Sequence, residues 1–427
     1  MRGFYARVFR LQSDNPGESL GIRRYSVCIA IGPAIMSLSS SELESLTALR
    51  RDLHAHPELA FEEHRTAQRV ASRLAGLGLE VSTGWAGTGV VGVMSAGASG
   101  RCIALRADMD ALPLDELNHF AHRSRHPGKM HACGHDGHTA MLLAGATLLA
   151  RDPAFDGTVV FVFQPAEEAE GGARAMIEQG LLERYGITRV YGLHNWPGLP
   201  LGHFAVHSGT AMAGTDQFRI LLKGHAAHAA MPHQGRDPVL AACALVQALQ
   251  SIVARRIDPL DAAVLSVTRL HAGSAYNVIP EQAEVGGTVR TLSPATRDQV
   301  RTALEELCQG ASRGYGVEIE LEYRPGYPPT TNDGAEAERC AAAAARVAGA
   351  QRVHRNLPPS MGAEDFAYFL EARPGCYVWL GNGEAAGDCR LHNPRYDFND
   401  ALLPIGAAYW QAVVAAALPL AATEPRV

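Results

Sequence analysis

The period of the hydrophobic positions changes along the chain. Between Ser41 and Leu77, leucines 43, 46, 49 and 53 recur at helical spacing, and Ser41 stands three residues before Glu44 as in a capping box, so the stretch predicts helix. Three later segments share one design. Arg101–Leu105 reads as a strand running into Arg106-Ala-Asp-Met-Asp110. Thr158–Phe163 is a continuous apolar run, which suits a parallel strand buried on both faces, and it ends in Gln164-Pro-Ala-Glu-Glu168. Arg189–Leu193 is another, ending at His194. Helical stretches, Thr139–Ala150 and Gly172–Leu182, alternate with these strands. Such alternation predicts an α/β domain, whose sites gather beyond the carboxyl ends of the strands, where the charged residues stand here.

From Thr215 the rhythm differs. Asp216–Lys223 reads as strand, Asp237–Ala254 as helix, Ala263–Leu270 and Glu281–Thr291 as strands, Ala295–Gly310 as helix and Val317–Tyr323 as strand. The order β-α-β-β-α-β is ferredoxin-like and predicts an inserted domain over 215–324, about 110 residues long. After an irregular return, Pro325-Gly-Tyr-Pro-Pro329, the pattern gives helices at Ala335–Val347 and Ala363–Glu371, a strand at Gly375–Leu380 and a closing helix at Ala401–Leu418. The first domain therefore comprises 37–214 and 325–427, because the lone His392 near the end needs the earlier groups for chemistry.

Composition narrows the function. With 427 residues, 47% hydrophobic and 19% charged, the chain has ample material for a large core. A net charge of -6 offers no basic footprint for nucleic acid or an anionic membrane. No apolar run approaches the roughly 20 residues of a spanning helix. The eight cysteines lack the paired spacing of a disulfide scaffold, and most, in apolar or Ala-rich stretches, read as buried thiols in a cytoplasmic protein. Residues 1–36 read as a disordered extension, with Met36 an alternative start. Arg23-Arg24 before the apolar Tyr25–Met36 faintly resemble a leader, but Pro33 interrupts it and no small-residue cleavage site follows.

Candidate chemistry concentrates in a few places. Six of the 18 histidines fall between His119 and His138, densest in Met130-His-Ala-Cys-Gly-His-Asp-Gly-His138. Thiolate, imidazole and carboxylate in one short loop are a transition-metal ligand set, although a polar loop around a buried cysteine would look the same. Glu167 and Glu168 sharpen the reading. Adjacent carboxylates ending an apolar strand are costly without a cation nearby, and neighbours on an extended chain point apart, so one can bind metal while the other faces substrate. The alternative is a solvated acidic turn. His194 and His392 complete a ligand set. Gly87-Thr-Gly-Val-Val-Gly92 matches a dinucleotide fingerprint but opens no helix, and no HExxH, P-loop or CxxC occurs. In Gly224-His-Ala-Ala-His-Ala-Ala-Met-Pro-His233, structural and ligand-facing histidines are equal readings. A thiolate favours zinc, nickel or cobalt, whereas carboxylates and imidazoles admit manganese.

These motifs resemble the M20 metallopeptidase family, closest to its amidohydrolase branch of hippurate hydrolases, N-acyl-L-amino-acid hydrolases and plant auxin-conjugate hydrolases. The resemblance rests on RRDLHAHPEL from Arg50, RADMDALP from Arg106, MHACGHDGHTAMLLAGA from Met130 and FQPAEE from Phe163. It continues through GLHNWPGLPLG from Gly192, NVIP from Asn277, GAEDFA from Gly362 and LHNPRYDFND from Leu391, in order over residues 40 to 415. It implies an α/β, metal-dependent exopeptidase-type catalytic domain with an inserted ferredoxin-like lid or dimerisation domain. It also implies that Cys133, His135, Glu168, His194 and His392 hold two divalent ions (Mn²⁺, Zn²⁺, Ni²⁺ or Co²⁺), with Glu167 as general base. His228 matches a lid histidine that in dimeric relatives reaches the partner subunit's site. Asn277 and Arg290 match lid positions near the substrate. Where other branches bind metal through His-x-Asp, this sequence has Asp108-Met-Asp110, which leaves Asp110 supporting the ligands rather than binding metal. The implied reaction is hydrolysis of an N-acyl amino acid by a homodimer or homotetramer. The alternatives are a dipeptidase or carboxypeptidase on the same scaffold, or a non-catalytic metal-binding protein.

Overall fold

The computed structural model describes residues 36–168, 171–384 and 390–420, so the reading of 1–36 as an extension lies, Met36 apart, outside the described residues. A proline makes the first departure from the sequence pattern. The helix expected over Ser41–Leu77 is two helices, α1 (Ser40–Ala55) and α2 (His64–Gly76). Pro57 disfavours helical backbone at the preceding residue, and His56 has φ -131°. The capping box also lies two residues earlier than expected. Ser39 Oγ accepts the Glu42 N–H, and the Glu42 carboxylate accepts the Ser39 N–H at 2.7 Å. Both serines have the right spacing, but Ser39 holds the extended backbone that a cap needs.

The antiparallel pair β1 (Glu80–Trp85) and β2 (Gly89–Ala96) leads to β3 (Cys102–Asp108), α3 (His135–Arg151) and β4 (Gly157–Gln164). Next come α4 (Gly172–Glu178), α5 (Leu181–Arg184), β5 (Arg189–Pro197), β6 (Phe204–Ala205) and β7 (Thr210–Met212). The single helix expected over Gly172–Leu182 is thus broken, at Gly180, whose φ of 83° ends one helical piece and opens the next. The following segment holds β8 (Gly214–Lys223), β9 (Ala227–His228), α6 (Pro238–Arg255), β10 (Ala263–Ala272) and β11 (Val278–Ile279). It ends with β12 (Gln282–Thr291), α7 (Pro294–Tyr315) and β13 (Glu318–Pro325). The chain closes with β14 (Thr330–Thr331), α8 (Gly334–Ala348), β15 (Val353–His354), α9 (Ala367–Ala372), β16 (Gly375–Gly383) and α10 (Leu402–Ala417).

The large sheet has the order β1-β2-β4-β3-β5-β16-β6-β15. Its centre, β4-β3-β5-β16, is parallel, which accounts for the unbroken apolar runs, since both faces are covered. One face packs on α1, α2, α3, α8 and α10 around Leu46, Leu105, Leu142 and Trp410. The other packs on α4, α5 and α9 around Met176, Leu182 and Phe369. The parallel centre brings the ends of β3, β4 and β5 together, and there the polar residues accumulate.

Residues 214–325 form a separate antiparallel sheet, β10-β12-β8-β13, the strand order of a ferredoxin-like unit. Alternate β8 residues Phe218, Ile220 and Leu222 are buried with α6 and α7 in a core of their own. The 18-residue α6 is long and apolar enough to cross a membrane by composition, yet Ala241, Leu245, Leu249 and Ile252 pack into that core. The pattern did not foresee the short ribbon β9–β11, which pairs His228 with Val278.

Candidate metal centre and substrate cleft

The centre starts from the tip of β3. Arg106, 2% exposed, turns inward and hydrogen-bonds Gln164 Oε1 at the end of β4 (2.7 Å), Asp108 Oδ2 (2.6 Å), Glu364 Oε1 (2.9 Å) and Asp365 Oδ1 (2.9 Å). A buried guanidinium is tolerated only when its fork is filled, and these partners fill it. They also explain why α9 begins at Ala367 rather than Ala363: the turn before it delivers Glu364 and Asp365 to Arg106. Two residues on from Asp108, Asp110 spreads its carboxylate over the next loop. Its two oxygens accept the Glu167 and Glu168 N–H groups, each at 3.0 Å. The turn between β4 and these glutamates is left-handed at Ala166 (φ 56°), a conformation unfavourable for a residue with a Cβ and sustained by its surroundings. Buried Glu63 accepts the Ala166 N–H at 2.9 Å and helps to hold the turn.

The remaining donors converge on the glutamates. Gly134, at φ 95°, caps α3 and sets Cys133 and His135 on either side. A Cβ there would lie 2.4 Å from Asn195 Nδ2 and 2.6 Å from Tyr396 Oη, so only glycine fits. His135 donates Nδ1–H to the Asp110 carbonyl at 2.9 Å, which leaves Nε2 buried without a partner. His194 donates Nδ1–H to the Asn195 carbonyl at 2.5 Å and turns Nε2 toward Cys133 Sγ, 3.4 Å away. His392, also left-handed (φ 64°), places Nε2 3.2 Å from Glu168 Oε1. Cys133, His135 and His194 bring one donor atom each within 4.8 Å of one another. Cys133, Glu168 and His392 do the same, as do His135, Glu167 and Glu168. The structure thus gathers all five expected ligands and Glu167 around one point.

The electrostatics fit cations at that point. Burial, then Glu364 and Glu168, push the Glu167 carboxyl well above its usual range. Burial, then Glu168 and Glu167, push the Cys133 thiol up in the same way. Burial would lower His135, but Asp108 carries it up to about 10. Beside burial, neighbouring carboxylates contribute to all three shifts, and a divalent ion would offset that negative charge, freeing a thiolate and a neutral imidazole as ligands. His135 Nε2 and Glu168 Oε1 make no hydrogen bond and face only other candidate site residues, Glu167 and His392, so both are available to coordinate. His138, by contrast, uses both ring nitrogens, Nδ1 on Asp108 (2.6 Å) and Nε2 on the Asn195 backbone N–H (3.0 Å), so it supports the centre rather than ligating.

Residues 104–416 match the profile of Peptidase family M20/M25/M40. The chain belongs to that family. It is 40% identical over 367 residues to an N-acetylcysteine deacetylase of Bacillus subtilis, covering 86% of this chain and 94% of that one. To a hippurate hydrolase of Campylobacter jejuni it is 39% identical over 378 residues, covering 88% and 97%. Among solved structures, a dinuclear metal binding peptidase from the M20 family of Bacillus subtilis superposes with a TM-score of 0.77 at 37% identity, covering 88% of this chain and 98% of that one. The α/β fold read from the sequence is that of the family, and the fold implies two divalent metals.

In this M20 chain a cleft of about 690 Å³ opens over the centre. Its wall includes Cys133, Glu167, Glu168, His194 and His392. Arg290 lines it from β12, and Arg324 from β13 joins it without having been foreseen. Trp196 forms an aromatic side of the wall, stacked on Trp379 with ring centroids 3.8 Å apart and planes 4° apart. The motif GLHNWPGLPLG contains this tryptophan, the sequence signal for an aromatic wall beside His194. His228 and Asn277 do not line the cleft of their own chain. Both are exposed: His228 lies in β9 opposite Val278, and Asn277 lies in the turn just before β11, where its carbonyl accepts the Ala229 N–H at 3.0 Å.

Proposed function

We propose that Glu167 is the general base of a two-metal amidohydrolase acting on N-acyl amino acids, with Cys133, His135, Glu168, His194 and His392 as the ligands. One observation carries this reading: the adjacent glutamates face different partners, Glu168 toward His392 (3.2 Å) and Glu167 toward His135 (3.9 Å), both on the cleft wall. Metal-assisted hydrolysis needs both ligands and a base, and the two glutamates can supply one of each. When bound, the two cations supply Lewis acidity, polarising the amide carbonyl and lowering the pKa of water from about 16 toward neutrality. Glu167 takes the proton of the attacking water as its oxygen bonds the carbonyl carbon, then delivers that proton to the amide nitrogen as the C–N bond breaks. The products are a carboxylic acid and a free amino acid. Burial, then its carboxylate neighbours, raise the proton affinity of Glu167, and the cations, when bound, would offset this and keep the carboxylate ionised to accept the proton.

Arg290 and Arg324 hold the carboxylate of the amino-acid half through charge-assisted hydrogen bonds. Trp196 offers a flat surface to the acyl half. The names of the deacetylase and the hippurate hydrolase support this substrate class, and acyl groups from acetyl to benzoyl fall within it. His228 and Asn277 serve the site of a second copy of the chain, which makes a homodimer or homotetramer through residues 215–324 the working assembly. There His228 stabilises the oxyanion, a contact of the kind that contributes about 3 kcal/mol. Zn²⁺, Co²⁺ and Ni²⁺ suit the thiolate and Mn²⁺ the carboxylates. A cytoplasmic setting is in keeping with the free cysteines 102, 133, 243, 308, 340 and 376.

The test is amine release from N-acetyl, N-benzoyl and indole-acetyl amino acids and from free dipeptides, with protein reconstituted with each metal, beside Glu167→Gln. Loss of turnover in the variant at unchanged metal content supports the assignment. Loss of metal together with turnover makes Glu167 a ligand instead, and dipeptide cleavage alone overturns the substrate class.

A further inference from the structure

The return segment Pro325-Gly-Tyr-Pro-Pro329 makes a connection that the hydrolytic scheme does not use. Tyr327 is 8% exposed, and its phenol bridges the loop that carries both glutamates: the hydroxyl donates to the Glu167 carbonyl at 2.7 Å and accepts the Gly171 N–H at 3.0 Å. Its backbone faces the other way. Thr215 N–H donates to the Tyr327 carbonyl at 2.9 Å, and Gly326 N–H donates to the Thr215 carbonyl at 3.0 Å, so the two crossings between the sheets are zipped together here.

That zipper is fastened to the ferredoxin-like segment. Asp216, 2% exposed, accepts the Gly326 N–H at 3.0 Å, the Tyr323 hydroxyl at 2.6 Å and Arg297 Nε at 2.8 Å. Arg297 from α7 also donates to the Gly326 carbonyl at 3.0 Å. Thr215 is the cross-strand partner of Arg290, and Gln217, two residues on, is the partner of Arg324. Arg290 therefore stands on the rung of the zipper and Arg324 two residues beyond it, and one side chain joins that zipper to the backbone of Glu167.

We propose that Tyr327 is a positioning residue that couples the carboxylate-holding end of the ferredoxin-like segment to the catalytic base, so that engaging the amino-acid half of the substrate sets the placement of Glu167. The proposal rests on the reading of Glu167 as base. A hydrogen bond to a backbone carbonyl fixes where the chain runs, and a shift of about 1 Å at a reacting group is enough to cost on the order of 100-fold in rate. Nothing in the chemistry at the metal centre requires Tyr327. Its effect appears in turnover and in its dependence on the arginines.

The experiment is a double-mutant cycle on the metal-loaded full chain, measuring kcat, KM and metal content. Tyr327→Phe keeps the ring, which packs edge-on against Tyr368 with centroids 5.8 Å apart, and removes only the bridging oxygen. The expected result is a fall in kcat of at least ~10-fold, with KM and metal content nearly unchanged, and an Arg290→Lys effect that is smaller in the Tyr327→Phe background than in the wild type. Wild-type kcat in Tyr327→Phe, or strict additivity with Arg290→Lys, overturns the coupling. If Tyr327→Phe does not fold, Asp216→Asn loosens the same link from its far side, and the same non-additivity is expected of it. Glu167→Gln separates the two ideas: an inactive Glu167→Gln beside a wild-type Tyr327→Phe removes the coupling alone, whereas an active Glu167→Gln removes the base and the coupling with it.

Discussion

Asp110→Asn isolates what one supporting carboxylate does for the centre. The two oxygens of Asp110 accept the Glu167 and Glu168 N–H groups at 3.0 Å each, and Oδ1 lies 3.3 Å from His135 Nδ1. Asparagine has the same shape, so packing is preserved. It keeps one acceptor and turns an NH₂ toward the other backbone N–H, donor against donor. One hydrogen bond to a charged acceptor, contributing about 1.5–3 kcal/mol, is lost and the survivor becomes a neutral one. The total is about 2–4 kcal/mol, all of it acting on the loop that carries Glu167 and Glu168. Partners that orient metal ligands typically change metal affinity by about 10–100-fold, within what this energy allows. The expected outcome is a metal dissociation constant weaker by about that factor, with kcat/KM falling at limiting metal and partly recovering at saturation. Competition with a chromophoric chelator gives the first quantity and amine release from an N-acyl amino acid the second. Wild-type metal affinity together with wild-type kcat/KM would refute the argument.

Three further outcomes follow from the geometry. Arg106→Met strands Asp108, Glu364 and Asp365 in the interior, and urea unfolding should show a loss of about 3–5 kcal/mol, whereas a neutral effect would mean the cluster does not depend on its cation. Buried His54, opposed by burial but raised by Asp136 to about 9, contributes stability that is complete below its unfolded pKa near 6.5 and is lost as pH rises through about 9. The unfolding free-energy gap between wild type and His54→Gln should therefore shrink by roughly 3 kcal/mol across that window, and a flat gap contradicts the assignment. Trp196→Ala should lower kcat/KM about tenfold for N-benzoyl substrates while sparing N-acetyl ones, since a stacked aromatic pair contributes about 0.5–1.5 kcal/mol beyond its buried area. Equal losses on both substrates at unchanged metal content would remove Trp196 from acyl recognition.

Much of the site could be read in advance because its signals are local. A run such as Val159–Phe163 suits a strand covered on both faces, and Glu167 and Glu168 after it are costly without a cation unless they turn to solvent. Cys133 and His135 in one turn, and the period change at Thr215, are equally local. The failures are local too: the break after Ala55 was signalled by Pro57, and the correct cap, Ser39, lay two residues from the chosen one.

What the sequence by itself determined, then, was the inventory: which strands lie inside, which residues carry unfavourable charge at their ends, and where the second sheet begins. Only the tertiary structure decided the partners. Arg50 sits on the buried face of α1 because Asp136, Asp397 and Asp400 surround it, and the hydrophobic pattern of that helix contains no trace of them. Arg106 finds Glu364 and Asp365 more than 250 residues away. Ala166 and His392 hold left-handed backbone that no local preference requests. Charge compensation and strain are settled between segments remote in sequence. Hydrophobic period is a property of neighbours along the chain, and the identity of a buried charge's partner is a property of the fold.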